Sequence, residues 1–153
     1  NMLSIRNLCF VIVSLCCSIH HGFCKDVDNP VTINCYNCLC QAATGCNFQQ
    51  SCHENSCGPL AFSKEYWNST NRPTVNRVPS SAPEAFEVCA RSLYCSYFMI
   101  QRYMEKHKKD CNGDGKIDCD DFVAIHKLGP DNCDQELPES YAERYDYCQS
   151  LVL

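Results

Sequence analysis

The chain has 153 residues, a formal net charge of −5 and sixteen cysteines. That length builds one domain with a modest core, and so high a cysteine content marks a disulfide scaffold made in an oxidising compartment. The acid is concentrated from 110 to 146, which excludes the basic face that nucleic-acid binding needs and gives no long-range attraction to anionic polymers.

Arg6 leads the apolar run "NLCFVIVSLCCSIHHGFC", which is too short to span a bilayer and reads as a secretory signal peptide over 1–24, cut between Ser18 and Lys25. No later segment is apolar enough for a membrane anchor, so the expected product is one secreted, extracellular domain over 25–153. Cys9, Cys16, Cys17 and Cys24 leave with the signal. The twelve that remain are Cys35, Cys38, Cys40, Cys46, Cys52, Cys57, Cys89, Cys95, Cys111, Cys119, Cys133 and Cys148. An even number implies six bridges, with the pairing left open. The alternative for "CYNCLC", a zinc knuckle, lacks a second matched cysteine pair.

Residues 25–34 read as a short extended arm. From 35 to 67 the cysteines crowd, with turns at Gly45 and Gly58, and "CGPLAFSKEYW" has the aromatic and aliphatic content of a short strand or hairpin. The following "NSTNRPTVNRVPSSAPEA" is polar and proline-spaced, an irregular surface loop carrying an N-glycosylation sequon at Asn68. Helical spacing returns at Ala85 to Ala90 and from Cys95 to Lys108, where Phe98, Met99, Arg102, Tyr103 and Lys106 recur at three- and four-residue steps. Phe98, Met99 and Tyr103 read as core. The basic run from Lys106 to Lys109 reads as a solvated helix end.

"DCNGDGKIDCDDF" follows. Asp110, Asn112, Asp114, Lys116, Asp118 and Asp121 occupy the first, third, fifth, seventh, ninth and twelfth places of an EF-hand loop, with Gly115 sixth and Lys116 offering its carbonyl. The expectation is a structural calcium ion. The alternative is a turn tied down by Cys111 and Cys119 with its carboxylates solvated. "DDFVAIHKLGP" is then a short helix stopped at Gly129 and Pro130, and "PESYAERYDYCQSL" a last one.

"CYNCLCQAATGC", "SCGPLAFSKEYW", "CARSLYC" and "DCDDFVAIHKLGPDNC", in that order over about 34–133, resemble the invertebrate-type lysozymes, also called the destabilase family. The resemblance implies an α+β, lysozyme-like fold, mostly helical with a small cysteine-rich β-hairpin and stapled by disulfides. It also implies hydrolysis of β-1,4 glycosidic bonds in peptidoglycan. Such chemistry uses one protonated and one ionised carboxyl group across the scissile bond. The family places its acid, a glutamate, three residues after the third cysteine of the opening cluster, where this chain has Ala43. Its second carboxylate, an aspartate, falls at Asn55. The stretch from Cys52 to Cys57 is also shortened, with Glu54 as the adjacent substitute.

General-acid help is worth about 10²–10⁴ in rate, so the expectation is a hydrolytic activity lost or weak. The cleft then serves as a surface for peptidoglycan, another glycan or a partner, with Tyr66, Trp67 and His126 as contact residues. The alternatives are an active lysozyme using displaced carboxylates such as Glu54 or Glu65, and a non-enzymatic extracellular interaction protein. Chemistry of either kind needs no cofactor. An isopeptide-cleaving activity of some relatives would draw on Ser56, Ser63 and Lys64. Two family cysteines are absent at about Thr70 and Met99. Loss of that bridge, worth about 2–5 kcal/mol, would loosen the loop from 68 to 88.

Overall fold

A computed structural model describes residues 29–49, 52–53 and 55–152. The signal peptide over 1–24 and the substitute carboxylate Glu54 lie outside the described residues. Six helices form among those described: α1 (Ile33–Thr44), α2 (Lys64–Ser69), α3 (Ala85–Ala90), α4 (Leu93–His107), α5 (Cys119–Leu128) and α6 (Glu139–Val152). The small β element is reduced to two isolated antiparallel bridges, His53 with Ser56 and Cys57 with Phe62.

The first helix falls where the sequence reads as a crowd of cysteines. Thr32 caps it, its hydroxyl accepting the Cys35 N–H at 3.2 Å, and Gly45, at φ 69°, ends it in the left-handed conformation. Cys35, Cys38, Leu39 and Ala42 recur at three and four residues and are all buried, so the cysteines themselves make the apolar stripe. α1 runs antiparallel to α6: Cys38 is bridged to Cys148, and one turn on Arg144 donates through Nε (2.9 Å) and Nη2 (2.6 Å) to the Ala42 carbonyl.

α4 crosses the other side of α1. The Tyr36 hydroxyl meets Ser96 Oγ at 2.7 Å, and the buried Gln101 amide takes both polar groups of Val31, accepting its N–H at 3.1 Å and donating to its carbonyl at 2.6 Å. These contacts pin the arm that leads into α1. Between the helices lie Tyr36, Leu39, Leu60, Phe62, Met99, Ile100, Met104 and Ile125, all fully buried. Gly58 (φ 73°) lets the 57–62 turn touch α3, because a Cβ there would fall 2.2 Å from the Ala90 carbonyl oxygen.

Each of the twelve cysteines finds a partner. Four bridges are local, Cys40–Cys46, Cys52–Cys57, Cys89–Cys95 and Cys111–Cys133. Two are long, Cys35–Cys119 and Cys38–Cys148, and they tie α1 to α5 and α6. Cys111 and Cys119 thus tie the acidic loop to two separate parts of the chain, Cys133 and α1. Thr70 and Met99, where the family bridge is missing, are both buried, and Arg102 Nη1 on α4 donates to the Thr70 carbonyl at 3.2 Å. No described helix is long and apolar enough to cross a membrane.

Candidate functional site

A cleft of about 590 Å³ opens between α2, the C-terminal end of α4 and the segment running from the end of α5 to Asp131. Its floor is aromatic. Ser63 caps α2 by accepting the Tyr66 N–H at 3.1 Å, which starts the helix so that Tyr66 and Trp67 both turn inward. They part company there, being about 100° apart around the helix axis. Tyr66 faces the cleft, stacked on Tyr103 with ring centroids 3.8 Å apart and set 5.6 Å from His126. Trp67 turns to the far side, is 3 % exposed, lies against Phe86 and donates from Nε1 to the Pro73 carbonyl at 2.8 Å. The expectation of Trp67 as a substrate contact is thereby corrected: it anchors the 68–85 loop to the core, and offers a ligand no face.

His126 is held edge-on to Phe62 and Tyr66. Its Nε2 lies 2.9 Å from the Leu60 carbonyl, which can only accept, so the proton sits on Nε2. Nδ1 is left buried without a hydrogen-bond partner, as is the Tyr66 hydroxyl. Burial lowers the His126 pKa to about 4, and burial pushes the Tyr66 phenol well up. Both are neutral polar groups in the floor, and neither is a base poised near neutral pH.

The charged groups stand on the rim. Glu65 is exposed in the first turn of α2, where its own backbone N–H and the Ser63 hydroxyl hold its carboxyl below the usual range. Lys106 and Lys127 contribute cations. At the α4 end, His107 lies 4.4 Å from Tyr103, ring to ring, and burial with the neighbouring Lys106 lowers its pKa, against the opposing pull of Asp131.

Neither of the two degenerate positions lines this cleft. Ala43 is in the last turn of α1, packed against the core, and Asn55 is exposed in the turn closed by His53 and Ser56. Of the serine and lysine candidates only Ser63 reaches the cleft, and its hydroxyl is occupied in capping. Asn68 is exposed near the end of α2, within a helix and ahead of the irregular loop, with its Oδ1 accepting from Arg72 Nε at 2.8 Å. Of the other cleft-lining residues, the sequence reading assigned Tyr103 to core and His107 to a solvated helix end, and passed over Asp131. The four-residue spacing of the first two at a helix end was the available signal; nothing marked Asp131.

In the acidic loop the side chains expected to hold calcium also serve the backbone. Asp110 accepts the Gly113 and Gly115 N–H groups at 2.7 and 2.9 Å, Asn112 that of Asp114 at 3.0 Å, and Asp114 that of Lys116 at 2.8 Å. Asp118 and Asp121 build the capping box of α5. Asp121, on the place of the bidentate ligand, is 1 % exposed and turned inward, accepting from Cys111 N–H at 2.7 Å and Asp118 N–H at 2.9 Å. Among the described residues no three His, Cys, Asp or Glu side chains gather as a metal site.

Residues 32–148 match the profile of the Destabilase family. Lysozyme 1 of Crassostrea virginica is 28 % identical over 120 residues, 74 % of this chain but only 58 % of that protein, so the chain spans less than two thirds of its length. Invertebrate-type lysozyme 3 of Caenorhabditis elegans is 26 % identical over 104 residues, covering 65 % of this chain and 73 % of that one. Among solved structures, the complex of Aeromonas hydrophila PliI with Meretrix lusoria lysozyme contains a chain that superposes with a TM-score of 0.62 at 25 % identity, covering 78 % and 91 %. The lysozyme of Tapes japonica shares the fold at a TM-score of 0.56 and 20 % identity, with 80 % and 92 % covered.

Proposed function

The chain belongs to the destabilase family, that of the invertebrate-type lysozymes, and from that premise we propose that it is a secreted lysozyme-like protein that binds glycan without cutting it. The observation that carries this reading is Ala43, on the family's acid position at the end of α1. Glycoside hydrolysis needs a carboxyl kept protonated to donate to the leaving oxygen, and an ionised one to meet the cation that develops. A methyl group does neither. Asn55 cannot ionise. Glu65 fails as the acid for the opposite reason, being held ionised by the donors around it. The cleft meanwhile keeps an aromatic floor and a polar rim, the features of a site that holds a ligand by shape and hydrogen bonds.

The six bridges support export, and the exposed Asn68 supports use of its sequon. Calcium is not part of this reading, in which Asp118 and Asp121 serve the cap of α5. Peptidoglycan is the glycan that the family relationship favours. The PliI complex of the Meretrix lusoria lysozyme makes an extracellular protein partner the second reading.

The purified, oxidised protein should sediment with insoluble peptidoglycan and leave a bacterial cell-wall suspension turbid. Clearing of the suspension would refute the loss of activity. Absence of sedimentation would leave the protein partner.

A further inference from the structure

The rings of the cleft form a continuous array. Phe62 lies 4.9 Å from Tyr66, Tyr66 lies 3.8 Å from Tyr103, and Tyr103 lies 4.4 Å from His107. One end is sealed in the core, where Phe62 is 1 % exposed. The other end is open: Tyr103 and His107 are half-buried and both line the cleft. They sit four residues apart on the last two turns of α4, so their rings lie along one face of the helix.

Asp131 lines the same cleft, and its charge acts on the Tyr103 phenol and on the His107 ring. Two adjoining rings with a carboxylate in the same cleft provide the two contacts a pyranose requires. The apolar C–H face of the sugar lies on the rings, and neighbouring hydroxyls donate to the carboxylate, which accepts through both oxygens. A neutral imidazole suits this role, and the lowered pKa of His107 favours it. Tyr103 stacks on Tyr66 and meets His107, yet stays half-buried and lines the cleft.

We propose that Tyr103, His107 and Asp131 form a sugar-binding subsite at the α4 end of the cleft, apart from the vacated positions at Ala43 and Asn55. The assignment rests on the glycan-binding reading above and supplies the residues that would do the binding.

The test is titration of the full oxidised protein with a β-1,4-linked N-acetylglucosamine hexamer by calorimetry, alongside sedimentation with peptidoglycan. His107→Ala and Asp131→Asn should each weaken binding about tenfold, the worth of one aromatic contact or one hydrogen bond to a charged group. Tyr103→Leu removes the ring but keeps an apolar side chain against Tyr66, and should weaken it similarly. Tyr94→Ala removes a ring that is 76 % exposed elsewhere on α4 and should change nothing. Thermal midpoints within a few degrees of the natural protein certify that each variant is folded. Binding unchanged in the folded His107 and Asp131 variants overturns the subsite and leaves the glycan reading standing. A loss on Tyr94→Ala as large as on His107→Ala overturns it too. If the natural protein binds neither probe, both fall.

Discussion

The end of α1 and the wall built from α2, α4 and α5 carry the two halves of a lysozyme's work, and they have diverged differently. At the end of α1, on the reading proposed above, Ala43 stands on the family's acid position and Asn55 on that of its second carboxylate, in a short 52–57 segment. In the wall, Tyr66 and His126 remain and are buried in contact with Phe62 and Tyr103. The reason is physical. Tyr66 and His126 fill the core as well as the cleft, so replacing either leaves a cavity or an orphaned carbonyl.

The comparison can be broken in four ways. The largest effect tests whether the α1 end still matters to the fold. Cys38→Ser with Cys148→Ser opens a bridge that closes 110 residues, and should cost about 2–5 kcal/mol in denaturant unfolding. A smaller cost would mean that α1 and α6 hold together by packing alone.

Next comes the wall. His126 has its pKa lowered from 6.5 to about 4, so the fold favours its neutral form. Its contribution is complete above pH 6.5 and is lost as pH falls toward about 4, a change of no more than about 3 kcal/mol. Urea midpoints should therefore drop between pH 7 and pH 4.5, and a His126→Gln chain, weaker at pH 7, should show a flatter profile.

Third is repair of the acid. Arg144 donates twice to the carbonyl of Ala42, one peptide unit from position 43. A glutamate placed there would sit beside a guanidinium and be held ionised. Ala43→Glu should stay below detectable clearing of cell walls. Adding Asn55→Asp and Arg144→Met should raise clearing about tenfold or more above it, a fraction of what general-acid assistance supplies. Clearing by Ala43→Glu alone would show that the scaffold never lost its catalytic electrostatics.

The smallest effect is calcium. Millimolar calcium or a chelator should move the melting midpoint by less than about 1 °C, because Asp118 and Asp121 are spent on the α5 cap and leave the loop short of ligands. A clear rise with calcium would show that Asp121 leaves its amides to serve a metal.

Parts of this arrangement were legible in the sequence. α4, α5 and α6 show through their periodicity and stops, and the even set of twelve cysteines announces six bridges. α1 was hidden because its cysteines read as staples and not as an apolar helical stripe. Their pairing was hidden because it depends on which helices lie side by side. Tyr66 and Trp67 look alike as aromatic neighbours, and only the docking of a helix, with its step of about 100° per residue, decides which one meets the cleft. The acidic loop misled for a related reason. Motif positions specify which oxygens are present, whereas the capping of α5 decides where Asp118 and Asp121 point.

The two long bridges also set a timetable. Cys35 and Cys38 leave the ribosome early, yet their partners follow 84 and 110 residues later. At synthesis speeds of about 5–20 residues per second, that is a wait of roughly 5–20 s for the longer one. The intended partners of Cys40, Cys52 and Cys89 are only 5 or 6 residues away and arrive almost at once. During the wait Cys35 and Cys38 are free thiols beside a cluster that is already oxidising. Wrong pairs made in that interval are undone only by thiol exchange, over seconds to hours. The first described helix to be made is thus the last to be locked.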